Sequence, residues 1–162
     1  MEKPILKEII TIIIDGRSVA YDKNAKQKFN VEKIIQCLEY FYENYALIEM
    51  QIVMPAWIDN NIQEQLSNLV EIHTVTGINK ENDRDDKYII GAAIRLDAFF
   101  VSNDKKMYKH IKNELIDRSW CANRRIGFYY KNSVFNPEYS MFWRRSSVAH
   151  RITGDSNKEV RT

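Results

Sequence analysis

The stretch "DRDDKYIIGAAIRLDAFFVSND", residues 83 to 104, sets Asp83, Asp85 and Asp86 before an apolar segment and Asp104 after it. Aspartates suit helix N-termini, where they accept orphan amide hydrogen bonds and meet the positive end of the helix dipole. The spacing therefore predicts a helix that opens at Asp85-Asp86 and runs to about Leu96, then a strand, "DAFFVS", over 97 to 102. Two readings of the acids stay open at this point: separate caps, or the two rims of one metal site.

Upstream, the β-branched run from Ile9 to Ile14 stops at Asp15-Gly16 and reads as a buried strand ending in a turn. From Asn30, a favoured N-cap residue, Val31, Ile34, Ile35, Leu38, Phe41, Tyr42 and Tyr45 follow helical spacing. "LIEMQIVMP" at 47 to 55 and "VEIHTV" at 70 to 75 read as strands on either side of a modest helix over "NIQEQLSNL", 61 to 69. Downstream, a helix is expected over about 104 to 116 and a strand over "RIGFYY", 125 to 130. Strands alternating with helices imply an α/β fold, a three-layer α/β/α sandwich with a mainly parallel central sheet and right-handed crossovers.

A chain of 162 residues with 44% hydrophobic residues can bury one full core. Residues 1 to 142 read as the domain, with near-neutral charge; residues 143 to 162 hold five Lys or Arg against two acids and read as a basic, mobile, polar tail. The net charge of +2 does not by itself announce a nucleic-acid binder. Cys37 and Cys121 lack zinc-site spacing, and reduced thiols in a cytoplasmic or nuclear protein fit them best. "IITIII" at 9 to 14 is too short to span a membrane, and no targeting segment is seen. Glycine-rich loops for nucleotide cofactors are absent, and Asp15-Gly-Arg17 lacks the second acid of the aspartyl-phosphate hydrolases.

In an open parallel sheet, ligands gather beyond the carboxyl ends of the strands, where strand order reverses. Asp15 ends the first strand, Asp104 follows the fourth, and Asp85 and Asp86 start the helix leading into it, so three segments bring carboxylates to one edge. Carboxylates about 4 Å apart repel by several kcal/mol at intermediate dielectric, and a cation should offset this. A hard, oxygen-seeking ion, Mg²⁺ or Mn²⁺, is the natural candidate, and metal-dependent phosphodiester hydrolysis the candidate reaction.

"IIIDGRSVA" at 12 to 20, "MPAW" at 54 to 57, residues 83 to 104 and "RRIGFYYKNSVFNPE" at 124 to 138 resemble, in order and spacing, the Regnase-type NYN endoribonucleases, a branch of the PIN-domain nucleases. The resemblance implies a PIN-like sandwich with an acidic, Mg²⁺-dependent site that cuts single-stranded RNA to leave a 5′-phosphate and a 3′-hydroxyl. It further implies homo- or hetero-dimers of NYN domains, and a role in mRNA turnover or RNA silencing in the cytoplasm, RNA granules or nucleus. Carried over by position, Asp15, Asp85, Asp86 and Asp104 are the catalytic acids, with Asp15, Asp86 and Asp104 as metal ligands. Arg17, Ser18, Lys80, Arg84, Lys105 and Lys106 are the RNA-binding candidates.

The chain departs from the family pattern in three places. Ser18 stands where Asn is typical, with Arg17 before it; Tyr108 stands where another acid often follows Asp104; and "TGINKENDR" carries only Lys80 and Arg84 where relatives show a denser basic cluster. Two functions thus remain in view: an active endoribonuclease, or a catalytically weak NYN domain serving as an RNA-binding or dimerisation module. Arg17 is read equally as a phosphate contact or an ion-pair partner. Lys109 and Lys112 extend a lysine face after Asp104, and Trp57, Trp120 and Trp143 are aromatics able to stack bases or fill the core. Structural roles are expected for His73 and His110.

Overall fold

Strand β1, Ile10–Asp15, has Ile12, Ile13 and Ile14 fully buried, as a strand covered on both faces must. Ile12 and Ile14 enter one core with Ile34, Leu38 and Phe41, whereas Ile13 enters a second core with Ile89, Ile90 and Phe100. The computed structural model describes residues 9–21, 28–76, 84–110 and 118–145.

After β1 come a one-turn helix α1, Gly16–Ala20; helix α2, Val31–Asn44; strand β2, Ile48–Pro55; helix α3, Asn60–Ser67; and strand β3, Glu71–Val75. Helix α4, Arg84–Leu96, leads into strand β4, Phe99–Val101. Helix α5, Arg118–Arg124, strand β5, Arg125–Lys131, strand β6, Val134–Glu138, and helix α6, Met141–Arg145, follow. The sheet order is β3-β2-β1-β4-β5-β6, parallel throughout except for the antiparallel β5–β6 pair. Strand order reverses between β1 and β4, so the crevice beyond their carboxyl ends is the place where this architecture receives ligands. The α/β sandwich and its mainly parallel sheet are as expected.

Local signals hold where they were read. The Asn30 side chain caps α2 by accepting from the Glu32 amide at 3.1 Å, and α2 buries Ile34, Cys37, Leu38 and Phe41 at helical spacing. Cys37 and Cys121 are buried in the two separate cores, which precludes a bridge between them. No helix among the described residues is long and apolar enough to cross a membrane.

Four differences stand out. The turn read at Asp15-Gly16 is the start of α1, because the Asp15 carboxylate accepts from the Ser18 amide at 3.3 Å and so caps one helical turn. Gly16 belongs there: a Cβ would lie 2.7 Å from the Val53 carbonyl oxygen. The helix expected over 104 to 116 begins instead as a turn closed by the Lys106 amide on Asp104 Oδ1, 2.9 Å, and a 3₁₀ turn at Met107–His110, with residues 111 to 117 outside the described set. β6 was unforeseen; Asn132 and Ser133, with φ of 53° and 62°, form the two-residue turn that folds it back on β5.

The fourth difference concerns the boundary drawn at 142. Trp143, read as the first tail residue, lies in α6 at 2% exposure, stacked on Tyr139 at 4.6 Å and edge-on to Phe99 at 4.6 Å. An aromatic of that size outweighs the polar residues around it, so the domain extends to at least Arg145. Residues 146 to 162 lie outside the described set. Truncation by Trp143→Ala should destabilise the domain by about 3 to 5 kcal/mol in urea unfolding; a loss below ~1 kcal/mol would return Trp143 to the tail.

Candidate active site

The carboxyl ends of β1 and β4 and the first turn of α4 open on a cleft of about 1040 Å³, lined by Asp15, Asp85, Asp86, Asp104, Arg17 and Ser18 on its acidic side. All four sequence-predicted acids meet there. Asp15 is 4% exposed, and its Oδ2 accepts from Ser102 Oγ at 2.8 Å across 87 residues, tying the end of β1 to the end of β4. Ser102 Oγ in turn accepts from the Asp104 amide at 3.1 Å, which turns the chain so that Asp104 also faces the cleft.

Ser18, which replaces the family's usual Asn, plays a structural part, since its hydroxyl accepts from the Asn103 amide at 2.9 Å. The Asn103 side chain continues the connection to β5, donating to the Phe128 carbonyl at 3.0 Å and accepting from the Phe128 amide at 2.9 Å. The segment after β4 is thus tied to α1 on one side and to the middle of β5 on the other. Tyr108, in place of the expected further acid, packs half-buried against the α4 core and does not line the cleft.

Asp85 is 1% exposed and accepts two hydrogen bonds from one guanidinium, Arg17 Nε and Nη2, both at 2.5 Å. This bidentate pair gives Arg17 the acid partner of one of its two readings, while the residue stays part-exposed in the cleft lining. Asp85 Oδ1 also accepts from the Asp86 amide at 3.0 Å, so the residue satisfies one amide of the first turn of α4 and anchors Arg17 at once. Caps and a clustered acidic site prove compatible.

The remaining acids feel one another. Burial lifts the Asp15 carboxyl to about 6, with Asp85 adding to the rise and the Ser102 hydrogen bond opposing it. Burial likewise lifts Asp86 to about 8, and the charges of Asp15, Asp85 and Asp104 push it further. Such shifts concentrate where sites are arranged for chemistry. Among the described residues no three carboxylates, thiols or imidazoles converge into a ready cation cage, so Asp15, Asp86 and Asp104 do not form a closed ligand set. The hard oxygen donors and their mutual repulsion nonetheless fit an ion held by one or two carboxylates, with waters and substrate phosphate completing its shell.

Of the RNA-binding candidates, Lys105 and Lys106 are exposed and line the cleft. Arg84 is exposed at the start of α4 but is not a lining residue, and Lys80 falls outside the described set. Trp57 is 59% exposed away from the cleft, and Trp120 packs partly buried by Arg124. His73 donates to or accepts from the Tyr88 hydroxyl at 2.6 Å, a structural contact. Sequence reasoning missed Ser102, Asn103, Lys33, Tyr21, Tyr129 and Tyr130, all of which build or line the site. The polar "SND" after β4 and the "FYYK" run were the available signals; nothing marked Lys33 in α2.

Removing the Arg17 side chain leaves a buried carboxylate without its counter-ion. Arg17→Ala should cost about 2 to 3 kcal/mol in urea unfolding, the low end for a buried pair because Arg17 keeps 29% exposure; a loss below ~1 kcal/mol would mean that the pair is not held. Raised carboxyls stabilise the fold below their ordinary range near 4, and that stability is lost as pH rises through about 6 for Asp15 and about 8 for Asp86. In EDTA, the melting temperature should therefore fall from pH 5 to pH 9, and fall less in Asp86→Asn. A variant melting below wild type at pH 9 would show Asp86 to be chiefly a helix cap.

The model of the Zc3h12a-like ribonuclease NYN domain matches residues 8–147. Among solved structures, nuclear proteinaceous RNase P 2 of A. thaliana superposes with a TM-score of 0.60 at 17% identity, over 80% of this chain and 30% of that one. That likeness supports the PIN-like fold, and the chain spans under a third of the length of that protein. With the family model covering nearly the whole described domain and all four acids gathered on one cleft, the chain belongs to the Zc3h12a-like ribonuclease NYN domain family.

Proposed function

We propose that this domain is a metal-dependent endoribonuclease that hydrolyses phosphodiester bonds of single-stranded RNA. The observation that carries the reading is the gathering of Asp15, Asp85, Asp86 and Asp104 in one cleft with Lys105 and Lys106, where burial raises the Asp15 and Asp86 carboxyls and the Asp15 charge raises Asp86 further. Clustered acids beside lysines suit a site completed by a cation and a phosphate together. Mg²⁺ or Mn²⁺, when bound, would neutralise charge on the phosphate and acidify a bound water.

The chain's own residues supply the rest. Asp15, fixed by Ser102, Asp86 and Asp104 would hold such a cation, directly or through waters. A carboxylate with a raised pKa is a competent acceptor for the proton of the attacking water. Water oxygen bonds to phosphorus, the P–O3′ bond breaks, and the 3′ oxygen takes a proton, giving a 5′-phosphate and a 3′-hydroxyl. Asp85 stays outside this exchange because Arg17 occupies both its oxygens. Lys105 and Lys106 grip flanking phosphates. Homo- or hetero-dimerisation with another NYN domain, and a cytoplasmic role in RNA silencing or mRNA turnover, follow from the family reading.

The second reading, a weakly catalytic module for RNA binding or dimerisation, draws on one observation: Asp85 is committed to Arg17 and no three ligands preassemble among the described residues. Labelled single-stranded RNA incubated with the protein separates the two. Cleavage should require Mg²⁺ or Mn²⁺, stop with EDTA, and fall ~10²-fold or more in Asp15→Asn and Asp86→Asn. Cutting that persists in both variants would identify a contaminant and sink the enzyme reading; RNA binding or a defined dimer without cutting would establish the module.

A further inference from the structure

Beside the acids, the cleft has aromatic and cationic lining residues. Tyr21, Phe128, Tyr129 and Tyr130 line it with Lys33. Tyr130 is fixed in place, its hydroxyl donating to the Lys33 carbonyl at 2.5 Å and its ring lying 4.9 Å from Lys33 Nζ. Tyr21 meets Phe29 edge-on at 5.6 Å, and Phe128 belongs to the core at 6% exposure. Tyr129, between two anchored aromatics on β5, keeps 50% of its surface in water.

We propose that Tyr129 is a specificity-determining residue, a platform on which an unpaired base next to the scissile phosphate stacks, with Lys33 taking the adjoining backbone phosphate. The inference rests on the ribonuclease reading and adds to it the means of telling single-stranded from duplex RNA. A cleft of about 1040 Å³ is far larger than one phosphate needs and equals the upper range of pockets that enclose a whole small ligand. A base has two apolar faces to cover, and an aromatic ring on a rigid strand covers one with little loss of side-chain freedom. In a duplex both faces are already stacked on neighbouring bases, so only an unpaired nucleotide can use the ring. Lys33, Lys105 and Lys106 line the same cleft as the acids and offer the RNA backbone cationic contacts along it. The exposed Trp57, the obvious stacking candidate in the sequence, does not line this cleft.

The test uses fluorescence anisotropy with a labelled oligouridylate decamer and an abasic ribose-phosphate decamer, on the Asp86→Asn protein in Mg²⁺ so that nothing is cut. Adding Tyr129→Ala should weaken oligouridylate binding about 5- to 100-fold, the usual loss of one base–aromatic stack, and leave the abasic decamer unchanged. Tyr129→Phe should bind both as before. In the otherwise wild-type protein, Tyr129→Ala should lower kcat/KM for a single-stranded substrate and narrow its advantage over a duplex. Equal binding of oligouridylate by Tyr129→Ala, or an equal loss for the abasic decamer, would overturn the platform while leaving cleavage, and the ribonuclease reading, intact. A parent protein that neither binds nor cuts RNA would overturn both.

Discussion

Like charge gathered at one sheet edge is the constraint around which the rest of this domain is organised. Strand order reverses between β1 and β4, and the reversal sets Asp15, Asp85, Asp86 and Asp104 around one cleft. Left to themselves those carboxylates would separate. They are kept together by Ser102 on Asp15, by Ser18 and Asn103 linking α1, the end of β4 and the middle of β5, and by the Arg17 fork on Asp85. Burial first, and neighbouring charge second, raise the Asp15 carboxyl to about 6 and Asp86 to about 8, so both favour the protonated form more than a free carboxyl does. A structure that spends packing and hydrogen bonds to hold acids in that condition is prepared for a cation to replace the protons.

The two departures in the first motif acquire a common explanation. Arg17 brings a permanent positive charge into the cluster and commits it to Asp85, whose 1% exposure would otherwise leave a charge stranded in the interior. Ser18 has a shorter side chain than the usual Asn, yet its hydroxyl reaches the Asn103 amide and maintains the link from the first motif to the fourth strand. Both residues therefore act on the shape of the site. Tyr108 is absorbed into packing beside α4, so its lack of charge removes no acid from the cleft.

Much of this was legible in the chain. A continuous β-branched run from Ile10 to Ile14 can only be a strand covered on both faces, and the helical spacing of α2 names its buried side without any coordinates. The four acids could be placed at one edge because strand ends and helix starts alternate in a parallel fold. The helix expected after Asp104 does not start at 104 because a side-chain-closed turn competes with helix initiation there, and its stretch from 111 on lies outside the described residues. The boundary before Trp143 failed because composition weighs the charged neighbours equally with one large aromatic, whereas the core does not.

The order of strands β1 to β4 along the chain, the buried faces of β1 and α2, and the identity of the acids were determined by the sequence alone, because each depends on periodicity or on residue type within a few positions. The partner of Arg17, the protons on Asp15 and Asp86, and the aromatic wall of Lys33, Tyr21 and Tyr129 were decided only by tertiary structure. The reason is distance along the chain: Arg17 and Asp85 are 68 residues apart, and Asp15 and Ser102 are 87 apart. Whether such groups share a hydrogen bond, a field or a cleft depends on the order of strands, which no local pattern encodes.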